Sequence, residues 1–251
     1  MSSFSYQLYS SRNFPTISDT FDMLQSLGYV GGEGYGGLYT SDESVAALAK
    51  SLKQTGLTMR SAHMGLDQIE NDPQSVLNIC KSLGIEMVFV PHLAQEDRPS
   101  DAAGWAEFGR RLAIAGAPFW DAGLVFGWHN HDFEFVALPD GSLPIDHMLG
   151  ADERLQFEFD VAWAVRAGSD PFTTINKYKS RIKAAHVKDI AANGQNQDED
   201  GWADVGLGVM DWPAIYAALI AVGTDHFVME HDNPNDDKRF AANAIASAKS
   251  F

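Results

Sequence analysis

Three glycines, Gly28, Gly56 and Gly84, fall at equal intervals, each closing a helical run and each followed almost at once by a strand-like run. That interval is the length of one strand-plus-helix unit, and only parallel strands need so long a connection between neighbours. Eight runs of strand length recur: Phe4 to Tyr9, Tyr29 to Glu33, Thr58 to Ala62, Met87 to Pro91, Leu124 to His129, Leu155 to Asp160, Ile182 to Val187 and Phe227 to Glu230. Between them, apolar residues recur at helical spacing in Ile17-Phe21-Leu24-Leu27, Val45-Leu48-Leu52, Val76-Ile79-Leu83, Trp105-Phe108-Leu112-Ile114 and Ile215-Ala218-Leu219. Ser41 and Asp72 stand where N-caps belong, Pro73, Pro171 and Pro213 suit first turns, and Gly28, Gly56, Gly84 and Gly123 suit helix ends. The pattern predicts an α/β fold, a single (β/α)8 barrel over residues 1–251.

Charge narrows the function. With 18 Lys and Arg against 34 Asp and Glu, the formal net charge is −16, a field that repels nucleic-acid phosphates and anionic membranes. No stretch of about eighteen apolar residues occurs, and Met1 to Gln7 lacks the basic and apolar regions of a leader, so a cytoplasmic chain is expected. The one cysteine, Cys80, sits in an apolar-periodic stretch and reads as a buried thiol rather than a nucleophile. No linker splits the chain, and the polar segment Asn193 to Asp204 reads as one long seventh loop, either a lid or wall of the site or a solvated acidic loop.

In such a barrel, polar residues that end apolar strands gather at the active-site mouth. The later strands all end that way, in His129-Asn130-His131, Glu158-Phe159-Asp160, His186-Val187-Lys188 and Glu230-His231-Asp232. Asp160, His186 and Glu230 offer two carboxylates and an imidazole, a mixed set that suits one divalent ion, Mn2+ foremost and Co2+, Mg2+ or Zn2+ besides. His129 is the expected fourth ligand, and His131, sharing its strand face, would transfer protons or bind substrate. The alternative is a buried ion-pair network without metal.

Lys188, two residues after His186, shares the inward face and is expected to bind a carbonyl or phosphate oxygen or hold an enolate; otherwise it pairs with Asp189 or Glu158. Trp163 would stack on a sugar face or pack in the core, and Trp202 would fold over the pocket or anchor its loop. Glu33, His63 and His92, at the ends of strands two to four, would complete the polar wall as substrate-binding residues.

Taken together, the strand ends resemble the sugar phosphate isomerase/epimerase family of the xylose-isomerase-like TIM barrel superfamily, which includes tagatose/psicose 3-epimerases, inosose dehydratases and endonuclease IV. The resemblance spans the chain and is carried by Gln7-Leu8-Tyr9-Ser10, His129 to Phe135, Phe159 to Ala164 with Gly168 to Pro171, His186 to Asp189, Val205 to Trp212 and Glu230 to Asp232. It implies a metal held by Glu, Asp, His and Glu from strands five to eight, with Asp160, His186 and Glu230 matching three of those positions. His129 stands where the epimerases carry the first Glu, Glu134 matches an acidic position that approaches substrate, and Leu207 replaces the Glu of a Gly-Glu-Gly turn.

In those epimerases two metal-bound glutamates exchange the proton beside a carbonyl. Only Glu230 remains of that pair here, with His131 as its expected catalytic partner. The leading expectation is a metal-dependent isomerase or epimerase of a small ketose or keto-sugar working through an enediolate. A lyase or dehydratase acting on a keto-inositol or 3-keto-glycoside comes next, and then a non-catalytic sugar-binding barrel. An abasic-site endonuclease is disfavoured by the charge. Relatives of this kind are often homo-oligomers, although no sequence feature marks an interface.

Overall fold

The computed structural model describes residues 4–14 and 16–251. Met1 to Ser3, where a leader's basic region would begin, lie outside the described residues. Eight parallel strands form a nearly closed barrel: β1 Phe4–Gln7, β2 Gly31–Glu33, β3 Ser61–His63, β4 Met87–Val90, β5 Val125–His129, β6 Gln156–Asp160, β7 Ile182–Val187 and, after a short antiparallel pair of β8 Asp189–Ile190 with β9 Trp202–Ala203, β10 His226–Met229. Their order is β2-β1-β10-β7-β6-β5-β4-β3. Isolated parallel bridges Gly31 to Thr58 and Gly34 to Ala62 join the ends, with the His63 amide donating to the Gly34 carbonyl at 2.8 Å.

The helices between strands are α1 Ile17–Leu27, α2 Asp42–Thr55, α3 Leu66–Asn71, α4 Pro73–Leu83, α5 Ala102–Asp121, α6 Pro144–Gly150, α7 Val161–Arg166, α8 Pro171–Tyr178, α9 Trp212–Ala221 and α10 Asp237–Ser247. The expected caps form. Ser41 accepts from the Ser44 amide in a capping box, Asp72 accepts from the Ser75 amide, and Gly28, Gly56 and Gly84 end α1, α2 and α4 in the left-handed region. The strands then start without delay, which gives the three units their shared period.

Some boundaries differ from expectation. The first strand stops at Gln7, because Leu8 to Ser11 tighten into a 3-10 turn. The third begins at Ser61 rather than Thr58, which makes only a bridge. Ile114 is exposed on the solvent side of α5. Burial pushes the Cys80 thiol up to about 12, as suits a packing residue. The long seventh loop is clasped at its base by β8 and β9, and Trp202 is buried beneath it. No helix among the described residues is long and apolar enough to cross a membrane.

Strand alternation sets what the barrel encloses. Trp128, Phe157 and Phe159 are buried, and Trp128 meets Phe108 of α5 edge-on at 5.4 Å. The alternate positions Glu158, Asp160, His186 and Lys188 are also buried, and they meet one another between the neighbouring strand ends of β6 and β7 on the inner face. Parallel register puts Asp160 beside His186 and His129 beside Glu158.

Candidate active site

At the C-terminal ends of the strands, one donor atom from each of His129, Asp160, His186 and Glu230 lies within 4.8 Å of the others, all on buried residues. The geometry is built from below. His186 Nε2 is 2.7 Å from Glu33 Oε1, so the other ring nitrogen, Nδ1, is presented to Glu230 Oε2 at 2.8 Å and Asp160 Oδ2 at 3.8 Å. Glu33 is itself fixed by the Gln7 amide at 2.7 Å and by the Ser61 hydroxyl.

The electrostatics follow from burying charges of both signs together. Burial opposes ionisation of Glu230, yet Lys188 and His186 outweigh it and hold the carboxyl well below the usual range. Burial likewise opposes the His186 cation, but Glu158, Glu230 and Glu33 push its basicity well up. For Asp160, burial wins over Lys188 and His186 and raises the carboxyl. Burial next to His186 and His63 keeps His129 neutral, far below the ordinary imidazole range.

These residues suit a divalent ion. His129 Nδ1 is buried without a well-aligned hydrogen bond, 3.2 Å from Glu158 Oε2, and Asp160 Oδ2 meets only the Lys188 ammonium at 3.1 Å and His186 at 3.8 Å among the described residues, which leaves each with lone-pair capacity for an ion. Two imidazoles and two carboxylates form a donor set for borderline metals.

A cavity of about 510 Å3 opens onto the cluster, lined by Tyr9, Tyr35, His63, His92, His129, His131, Glu230 and Asp232 among others. His63 and His92 thus stand on the wall, as expected. His131 is there too, its Nδ1 buried and unpartnered, and burial with nearby Lys188 pushes its pKa down to about 3, leaving a neutral ring. A larger opening of about 790 Å3, between Trp120, Arg154 and Lys183, lies at the opposite end of the barrel and contains none of this chemistry.

Four residues expected to act on or bind substrate, Lys188, Glu134, Glu33 and Trp163, do not line the cavity. Lys188 is buried and its ammonium is closed off by Glu230 at 2.8 Å, Asp232 at 2.9 Å and Asp160 at 3.1 Å, so it positions carboxylates instead of reaching the cavity. Its partners are neither Asp189, which accepts from the Gly206, Gly208 and Met210 amides, nor Glu158. Glu134 accepts from Trp128 Nε1 at 2.7 Å and from the His131 amide at 2.9 Å, and does not line the cavity. Glu33 lies beneath the cluster. Trp163 leans on His131 at 5.3 Å and meets Trp202 edge-on at 4.8 Å, while Arg166 covers Trp202, so both indoles anchor the loop behind the site.

Tyr9, Tyr35 and Glu158 were not anticipated as site residues. Tyr35 had a signal in the run Gly34-Tyr35-Gly36-Gly37 directly after a strand, and Glu158 had one in its two-residue spacing from Asp160.

A profile of the xylose isomerase-like TIM barrel family matches residues 21–250. The chain belongs to this family. Among curated relatives, an inosose dehydratase from Lacticaseibacillus casei is 25% identical over 153 residues, covering 55% of this chain and 48% of the relative. The chain therefore spans about half the length of that relative. Among solved structures, a sugar phosphate isomerase/epimerase from Parabacteroides distasonis superposes with a TM-score of 0.83 at 20% identity, covering 99% of this chain and 94% of that one. The IolI protein with a bound zinc atom superposes at 0.73 and 17% identity, covering 98% and 95%. These neighbours share the fold, and isomerase/epimerase and dehydratase are the enzyme kinds their names carry.

Proposed function

We propose that this chain is a divalent-metal-dependent isomerase or epimerase of a small ketose or keto-sugar that works through an enediolate. The observation that carries this reading is the convergence of His129, Asp160, His186 and Glu230 on a cavity that also presents His131. A bound divalent ion, Mn2+ foremost, would polarise a carbonyl and make the neighbouring C–H more acidic. Glu230, kept ionised by Lys188 and His186 and facing the cavity, accepts that proton. Glu230 then returns that proton to the adjacent carbon, while His131, neutral and three strands away in the sheet order, accepts the proton of one enediol oxygen and gives it back to the other. Tyr9 and Tyr35 offer aromatic surface to the C–H edges of a sugar ring.

A second reading, a lyase or dehydratase on a keto-inositol or 3-keto-glycoside, is favoured by His129. With an imidazole where epimerases of this kind carry a glutamate, the base and its partner are chemically unequal, as removal of a proton and departure of a protonated leaving group require. The inosose dehydratase relatives agree with it.

The test incubates ketoses, their phosphates, keto-inositols and 3-keto-glycosides with the Mn2+-loaded protein in D2O, followed by mass spectrometry. Gain of one mass unit without loss of atoms supports the isomerase or epimerase. Loss of water or aglycone selects the lyase, and no change in any compound overturns both. Asp160→Ala and His186→Ala should each lose metal and turnover together.

A further inference from the structure

Below the quartet at the mouth lies a second set of donors. Glu158 precedes Asp160 by two residues on β6, so it shares the inward face about 6–7 Å deeper along the strand. Three imidazoles converge on its Oε2: His63 Nε2 at 2.6 Å, His129 Nδ1 at 3.2 Å and His186 Nε2 at 3.4 Å. One donor atom from each of these four residues lies within 4.8 Å of the others. A further sign points to a ligand: Glu158 Oε1 is buried with no hydrogen-bond partner among the described residues.

The His186 ring separates the two layers. Its Nδ1 faces Glu230 and Asp160, and its Nε2 faces Glu33 and Glu158. Among the described residues, Lys188 makes ion pairs only with the carboxylates of the upper layer and Asp232. His63, Glu33 and Glu158 therefore form surroundings of their own.

Charge gives an independent argument. Glu33, Glu158, Asp160 and Glu230 bring four carboxylates into the barrel, all of them buried, while Lys188 is matched by Asp232 at 2.9 Å. Two divalent ions would neutralise those four groups.

We propose that the lower set is a second divalent-cation site, with His63, His129 and Glu158 holding an ion on the Nε2 side of His186 while Asp160 and Glu230 hold the first ion on its Nδ1 side. Three imidazoles and one carboxylate select Zn2+ or Co2+ over Mg2+. With both sites filled, His186 would have given up both ring N–H protons to solvent and would face an ion through each nitrogen as an imidazolate. Filling the lower site takes His129 out of the upper set, so the upper ion keeps Asp160, His186 and Glu230 with open positions, the arrangement a catalytic centre needs. The proposal rests on the metal reading given under Proposed function only for that upper ion.

The experiment counts zinc per chain by elemental analysis after saturation and desalting, and locates it by anomalous scattering at the zinc edge in wild-type crystals. Expected are two zinc ions per wild-type chain, one on each side of His186, and one in Glu158→Gln and in His63→Asn, with the fold checked by circular dichroism. A single equivalent in the wild type overturns the second site; if Asp160→Asn then abolishes it, the proposed function still stands. Two equivalents retained in both lower-site variants, or two scattering peaks elsewhere, overturn the placement. No zinc at all overturns this site and the metal reading together. Should the variants fail to fold, the wild-type peaks decide.

Discussion

Glu134 provides a quantitative test of how burial and hydrogen bonding compete beside the site. Its carboxyl is fully buried, and although Trp128 Nε1 and the His131 amide both donate to it, burial is the larger effect and pushes its pKa up to about 8 from an ordinary 4.5. Folding then takes up a proton between those limits. The resulting stability is fully present below pH 4.5 and is lost as pH rises toward 8, at about 1.4 kcal/mol per pH unit and about 5 kcal/mol in all. Glu134→Gln keeps an acceptor but cannot ionise, so it lacks this slope. Urea unfolding of both proteins from pH 5 to 9 should show wild-type stability falling relative to the variant by about 4 kcal/mol between pH 5 and 8 and levelling beyond. A difference that stays constant over this range would refute the reasoning, because it would mean that the two N–H donors keep the carboxylate ionised in the fold.

Further outcomes follow from other contacts. Glu33→Gln removes the charge beside His186 and should weaken the first equivalent of Zn2+ about 10–100-fold in chelator competition; unchanged affinity would dismiss Glu33 as a positioning residue. Trp202→Ala empties a buried site between Trp163 and Arg166 and should cost about 3–5 kcal/mol in urea unfolding, whereas a lid residue would change turnover with little effect on stability. A β-carbon at Gly127 would overlap the Gln156 carbonyl on the neighbouring strand, so Gly127→Ala should abolish soluble folded protein; a well-folded variant would show that β5 and β6 can separate.

What the sequence made legible, and what it hid, follows from the range of each signal. The period of Gly28, Gly56 and Gly84 is local: each helix needs a left-handed end and each strand starts at once, so the barrel could be read without knowing any distant contact. The convergence of Asp160, His186 and Glu230 was readable for a similar reason, since parallel strands in a barrel bring their C-terminal ends together wherever they lie in the chain. Lys188 was harder. Alternation gives the face it points to, but not the height of the acids on neighbouring strands, and Asp160, Glu230 and Asp232 all reach it first. Glu134 and Trp128 meet across an irregular turn, and Tyr9 and Tyr35 meet at 5.2 Å from two loops, contacts that no periodicity encodes.

Glu158 is the instructive case, because its partner His63 lies 95 residues earlier in the chain and on a strand that is not adjacent in the sheet. Barrels usually fill this layer with branched apolar side chains. In β6 the positions Gln156, Glu158 and Asp160 are all polar, so the alternation that shows where the strand lies also shows that its inner face was never built to be dry. An interior that keeps Glu33, His63, Glu158 and His186 in contact gains nothing from burying them as a core, since each removed charge leaves its partner uncompensated. Burying them together carries a desolvation cost, and a cation bound as proposed above would offset it.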